Sequence, residues 1–303
     1  MSALRSDITF TSHGVRCAAW HVRATSDGLA RKGRRPCVVI GHGFGGTRDT
    51  ALLDFAEGFA DAGIDSLVFD YRGFGASDGT SRQAVSYRRQ RQDYHAAVDA
   101  ARRLRSVDPD RIALWGTSYS GGHVLAVAAV DPRVAAVVSL VPAPDGAAAV
   151  WQIARCAGPV APLKLIGHGL RDVLQTLTGG SPHQIPLAAQ PGSLAVLAAP
   201  GALEGYEAIG GPTWRNEVCA RTSLEVAFNR PVTHAPKITC PTLVQIGSED
   251  RVAPPHAARR AARRAGGPTT VLEYPVDHFD VYLGPWQQKA LADEVDFLVG
   301  ALA

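Results

Sequence analysis

Charge of one sign, long apolar runs and patterned cysteines are all scarce in this 303-residue sequence, and each scarcity excludes a class of protein. Its 31 lysines and arginines stand against 28 aspartates and glutamates, for a formal net charge of +3. A nucleic-acid-binding domain needs a strongly basic face interleaved with aromatics. The two densest basic clusters here, Arg88-Arg89-Gln90-Arg91 and Arg259-Arg260-Ala261-Ala262-Arg263-Arg264, fall in segments that read as helices, so they are expected to be solvated helix faces. No uninterrupted apolar stretch reaches the ~18 residues of a membrane span. The nearest, Val124 to Val141, is broken by Asp131-Pro132-Arg133. The five cysteines, Cys17, Cys37, Cys156, Cys219 and Cys240, are odd in number and scattered, with no C-x-x-C pair and no His-paired metal spacing. They are expected to be reduced, buried thiols rather than a disulfide framework or a metal site. The stretch Met1–Asp7 has no apolar signal region. The expectations are a soluble, cytoplasmic chain with no nucleic-acid partner, no membrane partner and no metal.

What is present is the composition of an ordinary globular protein, 46% hydrophobic and 19% charged. A chain of ~300 residues buries about 75% of its unfolded surface, enough for a large core. Ile8–Phe10 and Val15–Val22 alternate like an antiparallel hairpin. Pro36–Ile40 is a short unbroken apolar run, typical of a strand buried on both faces. It leads into the loop His42-Gly43-Phe44-Gly45-Gly46. A helix is expected over 49–62, a strand over 65–70, a long helix over 84–105, a strand over 111–115, a helix over 118–130 and a strand over 134–141. The alternation lapses over 143–235, rich in proline, glycine and scattered aromatics. It resumes with a strand at 242–246, a helix at 255–265, a strand at 269–274 and a helix at 285–301. Such alternation with short connections predicts a mostly parallel central sheet flanked by helices. The expected organisation is one core domain formed by residues 1–142 and 236–303, with 143–235 an inserted cap.

The chemistry concentrates where strands end. Gly116-Thr117-Ser118-Tyr119-Ser120 follows a strand and opens a helix, the context of a G-x-S-x-G nucleophile elbow. Ser120 replaces the second glycine, but it is small enough for the turn. A serine hydroxyl attacks only when a base takes its proton. Asp250 lies just beyond strand 242–246 and His278 just beyond strand 269–274, so both project from the same sheet edge as Ser118. Asp250 also suits a helix N-cap. Glu249 is a rival acid, and Asp145, after an earlier strand, is a second place from which an acid can reach the histidine. The oxyanion formed on attack needs two aimed donors. The N–H groups of Phe44 and Tyr119 are expected to supply them, with Gly43 and Gly45 allowing close backbone approach. A phosphate-cradle reading of the 42–46 loop fails, because neither G-x-x-x-x-G-K-[ST] nor G-x-G-x-x-G is present. His42 there is expected to be a structural hydrogen-bonding residue.

The sheet pattern, the His42–Gly46 loop, the segment Asp70-Tyr71-Arg72-Gly73-Phe74-Gly75-Ala76-Ser77 and the elbow together resemble the α/β-hydrolase superfamily. The runs from Trp115 to Asp145 and from His278 to Tyr282 look like a bacterial branch of esterases and dienelactone-hydrolase-like proteins. The resemblance implies an α/β-hydrolase fold, a Ser118–His278–Asp250 triad, no cofactor and a small-molecule ester or lactone as substrate. The alternative enzymatic reading that the resemblance implies, with the same triad, is a lactonase of macrocyclic substrates of the zearalenone type or a carbon–carbon bond hydrolase; the superfamily also holds peptidases and acyltransferases. Dehalogenases and epoxide hydrolases of this fold carry an aspartate where Ser118 stands, so they do not fit. Cap residues Trp151, Tyr206 and Trp214 are expected to bind a fairly hydrophobic substrate, with Ile153, Leu187, Leu194, Leu197 and Phe228 as further candidates. A homodimer is the commonest assembly to expect. The non-enzymatic alternative is a hydrolase-fold binding protein that keeps the pocket without turnover.

Overall fold

A computed structural model describes residues 4–303, so the first three residues of the expected 1–142 unit and of the Met1–Asp7 stretch lie outside it. The opening hairpin forms as β1 (Leu4–Ser12) and β2 (Val15–Arg23), in antiparallel register from Leu4 opposite Arg23 to Ser12 opposite Val15. Then come β3 (Arg35–Gly41), α1 (Leu53–Asp61), β4 (Asp65–Phe69), α2 (Tyr87–Arg102), β5 (Val107–Thr117), α3 (Tyr119–Ala128) and β6 (Val134–Leu140). The expected first helix begins four residues late. Thr47 and Thr50 bond to each other across a turn, and Ala51 sits at φ +52°, which no helix accommodates.

Between β6 and the next strand of the main sheet the chain makes α4 (Gly146–Ala157), α5 (Ala161–Leu177), β7 (Gln184–Ile185), α6 (Ala202–Ile209), β8 (Val218–Cys219) and several single 3₁₀ turns. Its two strands pair only with each other. The chain returns through β9 (Thr242–Gly247), α7 (Pro255–Arg264), β10 (Thr269–Tyr274) and α8 (Gly284–Leu302). The eight-stranded sheet has the order β1-β2-β4-β3-β5-β6-β9-β10. Its first two pairings are antiparallel and the rest parallel. No helix among the described residues is long and apolar enough to cross a membrane.

The unbroken apolar strands behave as sheet geometry requires, with successive side chains facing opposite ways. Along β3, Cys37 and Val39 join the core under α2 and α3, while Val38 and Ile40 join the core under α1 and α8. On β5, Ile112 and Leu114 face the first core and Ala113 and Trp115 the second. Both faces are therefore dry, and β3 and β4 are buried at every position. This double cover fixes the register of the central strands and hence the height at which each carboxyl-terminal strand end emerges.

One buried polar junction, not foreseen from the sequence, ties the other end of the sheet. The Asp65 carboxylate at the start of β4 takes hydrogen bonds from His21 Nε2 at 2.8 Å, the Ala24 N–H at 3.0 Å, Arg35 Nε at 3.2 Å and the Ser106 hydroxyl at 3.0 Å. Burial pushes this carboxyl up. The bonds from His21 and Ala24 and the charges of His21 and Arg35 together outweigh it and hold the carboxyl below its ordinary value. Removing one member of such a group leaves the others uncompensated, so Asp65→Ala is expected to cost about 3–5 kcal/mol of stability, read from urea unfolding midpoints. A loss below about 1 kcal/mol would deny the junction its role.

Candidate active site

The turn at Ser118 is built by steric exclusion. β5 ends at Thr117 and α3 starts at Tyr119, which leaves Ser118 alone at φ +56°, ψ −117°. A non-glycine residue held there stores on the order of 1–3 kcal/mol of strain. Its backbone is pinned by the Ser118 N–H donating to the Leu140 carbonyl at 2.9 Å and by the Ala143 N–H donating to the Ser118 carbonyl at 2.8 Å. Gly116 has to be glycine, because a Cβ there would stand 2.3 Å from the Ser120 carbonyl oxygen. The non-glycine at 120 has its own reason. Its hydroxyl lies 2.6 Å from that of Tyr71, and both residues are buried. The departure from G-x-S-x-G thus makes a polar contact to the Asp70–Ser77 segment.

Three strand ends converge on this turn. In the loop after β9, Asp250 Oδ1 accepts from the N–H groups of Val252 at 2.8 Å and Ala253 at 2.7 Å, while Oδ2 lies 2.6 Å from His278 Nδ1. Asp250 does not cap the next helix, since α7 begins at Pro255 with Pro254 at its N-cap; Oδ1 instead ties a turn within the loop, and Oδ2 is left to meet the imidazole. His278, in the loop after β10, places Nε2 3.0 Å from the Ser118 hydroxyl oxygen. All three side chains are buried. With Nδ1–H donating to the carboxylate, Nε2 is left as the acceptor for the serine proton. Asp277 locks the two loops together. Its Oδ1 accepts from the His278 N–H at 2.8 Å and the Arg251 N–H at 2.9 Å, and its Oδ2 takes Arg251 Nε at 2.6 Å.

The rival acids are occupied elsewhere. Asp145 caps α4 through the Ala147 N–H at 3.1 Å and pairs with the Arg230 guanidinium at 3.0 and 3.1 Å. Glu249 is exposed.

Phe44 and Tyr119 lie side by side, rings edge to face at 5.2 Å, and both line the cleft with Ser118. Neither backbone N–H has an acceptor among the described residues, so both amides are available to an oxyanion. The Phe44 carbonyl accepts from the Tyr206 hydroxyl at 2.7 Å. His42, under the same loop, donates from Nδ1 to the Gly43 carbonyl at 3.0 Å and packs against Tyr71. Burial drives its pKa down to about 4, so it is a neutral structural residue.

The cleft in front of Ser118 is almost wholly apolar. Ala149, Ile153 and Ala157 of α4 line one side, Val196 and Leu197 another, with Val252 and Ala253 beside the acid loop. Gln152 is one of its few polar side chains, and it donates to the Arg251 carbonyl at 2.6 Å. The expected aromatic lining needs correction. Trp151 does not line the cleft: α4 turns Ala149, Gln152, Ile153 and Cys156 inward and leaves Trp151, 54% exposed, on its outer side near His256. Trp214 is not in the lining either; it stacks at 5.7 Å on Tyr206. Tyr206 is outside the main cleft but does border the site, in a small recess that Ser118 and His278 also line. Of the further candidates, Ile153 and Leu197 line the cleft, whereas Leu187 packs against Gly45 and Phe228 and Leu194 are exposed. No cluster of three or more His, Cys, Asp or Glu side chains suited to a metal ion occurs among the described residues.

Residues 32–275 match the Hydrolase_4 family model, described as serine aminopeptidase, S33. The quorum-quenching protein AidA of Acinetobacter baumannii is 38% identical over 294 residues, covering 96% of this chain and 93% of that protein. The thiohydrolase aneE of Aspergillus aculeatus is 38% identical over 125 residues, 39% of each chain. The crystal structure of the α/β-hydrolase GrgF from Penicillium sp. sh18 superposes with a TM-score of 0.82 at 25% identity, covering 99% of both chains.

His42 yields a pH prediction whose sign follows from its depressed pKa. Unfolded, it takes up a proton below about 6.5; folded, it stays neutral down to about 4. Protonation therefore favours the unfolded chain, and stability drains away as pH falls through that window. Replacing it in His42→Gln is expected to make the fall in unfolding free energy between these pH values shallower than in wild type, by up to about 1.4 kcal/mol per pH unit. Parallel urea titrations check this, and identical slopes would contradict it.

Proposed function

The chain belongs to the serine aminopeptidase S33 family of α/β-hydrolases, and we propose that within it this protein cleaves a carboxylic ester or lactone of a fairly hydrophobic small molecule through an acyl-enzyme. The observation that carries the proposal is the unbroken run from Asp250 through His278 to Ser118, at 2.6 and 3.0 Å.

The steps follow from which groups hold protons. The Ser118 oxygen attacks the carbonyl carbon as its proton passes to His278 Nε2. The imidazolium that forms is stabilised by the Asp250 carboxylate on Nδ1. The carbonyl oxygen gains a negative charge and is held by the amides of Phe44 and Tyr119, with the start of α3 adding a favourable dipole. Collapse of the tetrahedral intermediate expels the alkoxide, which takes the proton from Nε2. Water then repeats the sequence on the acyl-enzyme and frees Ser118. In a lactone the leaving alkoxide stays tethered to the acyl group, and the same steps open the ring.

Residues 143–235, which supply α4 and the Val196–Leu197 wall, act in this reading as a cap that selects the substrate and shields the acyl-enzyme. A cleft so poor in polar side chains favours an apolar acyl group, since a buried polar group without a partner costs about 2–7 kcal/mol. The relative named a thiohydrolase favours a second reading, a thioester cleaved through the same acyl-enzyme with a thiolate as leaving group.

Short p-nitrophenyl esters test the mechanism. Ser118→Ala is expected to lower kcat on the order of 10⁴-fold or more while the protein stays folded. Undiminished turnover in that variant would remove the mechanism.

A further inference from the structure

Resting on the ester- or lactone-hydrolase reading above, we propose that the substrate carries a long unbranched aliphatic tail and that a second apolar chamber, next to the catalytic cleft, receives it. The two spaces share a partition of three side chains, Ile153, Val196 and Val226, each of which lines both. Beyond it the chamber is walled by Pro162, Leu165 and Ile166 of α5 and by Leu224, Ala227 and Phe228 of the 3₁₀ turns.

Room and chemistry both point there. The cleft beside Ser118 offers only about 60 Å³ of free room, against about 310 Å³ in the chamber. The cleft is thus the narrower of the two spaces, and a long tail finds more room in the chamber. A different neighbouring space, reached past Ala157, is bordered by Lys164 and Ser193 and does not suit a hydrocarbon. The tail chamber holds one hydroxyl, that of Ser223, and it is already committed to the Leu165 carbonyl at 2.9 Å and to the Ala220 carbonyl. An aliphatic chain leaves no polar group there unpaired, whereas a charged or hydroxylated tail would. The outer rim is formed by Ile166 and Phe228, 41% and 71% exposed, so the tail's far end emerges between α5 and the 3₁₀ turns.

The test compares p-nitrophenyl butyrate with p-nitrophenyl decanoate, both below their critical micelle concentrations. Each buried methylene is worth up to roughly four-fold in kcat/KM, so wild type is expected to prefer the decanoate by about ten-fold or more. Ala227→Trp fills the chamber without entering the cleft lining, and Ile166→Asp places a charge at its rim. Each is expected to lower the decanoate-to-butyrate ratio about ten-fold or more. A wild-type preference for butyrate, or a ratio unmoved by both variants, overturns the proposal. A binding readout separates this from the chemistry. Methyl decanoate titrated calorimetrically into Ser118→Ala protein is expected to bind about ten-fold more weakly once Ala227→Trp is added. Equal affinities would overturn the chamber, whereas absent turnover of both esters in wild type would strike the hydrolase reading and leave this binding result standing.

Discussion

The backbone of Ser118 at φ +56° is the constraint from which the rest of the site is organised. A side chain standing clear of both strand and helix is free to meet a base from one side and a carbonyl carbon from the other. The strain of that conformation persists only because the surroundings over-determine it. Leu140 at the end of β6 and Ala143 just beyond it grip the backbone of Ser118, and Gly116 yields the space that any Cβ would deny to Ser120. Parallel pairing then brings β9 and β10 to the same edge, so that residues 132 and 160 positions further along the chain arrive beside it.

Stiffness around the imidazole follows from buried and half-buried charge. Asp250 is satisfied by two backbone N–H groups before it meets His278, so one oxygen is anchored and the other has a fixed direction. The Asp277–Arg251 clamp joins the acid loop to the histidine loop and holds the His278 backbone by its N–H. Gln152 reaches the same Arg251 from α4, which links the position of the 143–235 segment to the loop that carries Asp250. The pairing is directional: Asp250, Asp277 and Arg251 are each oriented by a named partner, and the cleft in front of Ser118 is left largely to apolar contacts.

The sheet is legible in the sequence because its strands are dry on both faces, and such strands read as unbroken apolar runs such as Val38-Val39-Ile40 and Leu67-Val68-Phe69. The convergence of positions 118, 250 and 278 is legible for the related reason that each follows a strand in a parallel sheet. The lining of the cleft is not. Aromatic character picks out Trp151 and Trp214, but helix phase puts the first outside, and the second packs on Tyr206. The wall is made largely of alanines and valines, whose ordinary composition carries no signal. The contact of Ser120 with Tyr71 and the buried carboxylate of Asp65 are equally silent, since each depends on partners far away in the chain.

Hydrolysis at this site requires that the hydroxyl of Ser118 be an activated nucleophile. The direct measurement is stoichiometric reaction with a fluorophosphonate, followed by peptide mass mapping of the adduct. One adduct per chain is expected, on Ser118, formed in wild type and suppressed by at least about 10³-fold in His278→Ala. An unmodified Ser118 in the folded wild-type protein, or labelling that proceeds at the same rate without the imidazole, would contradict that activation.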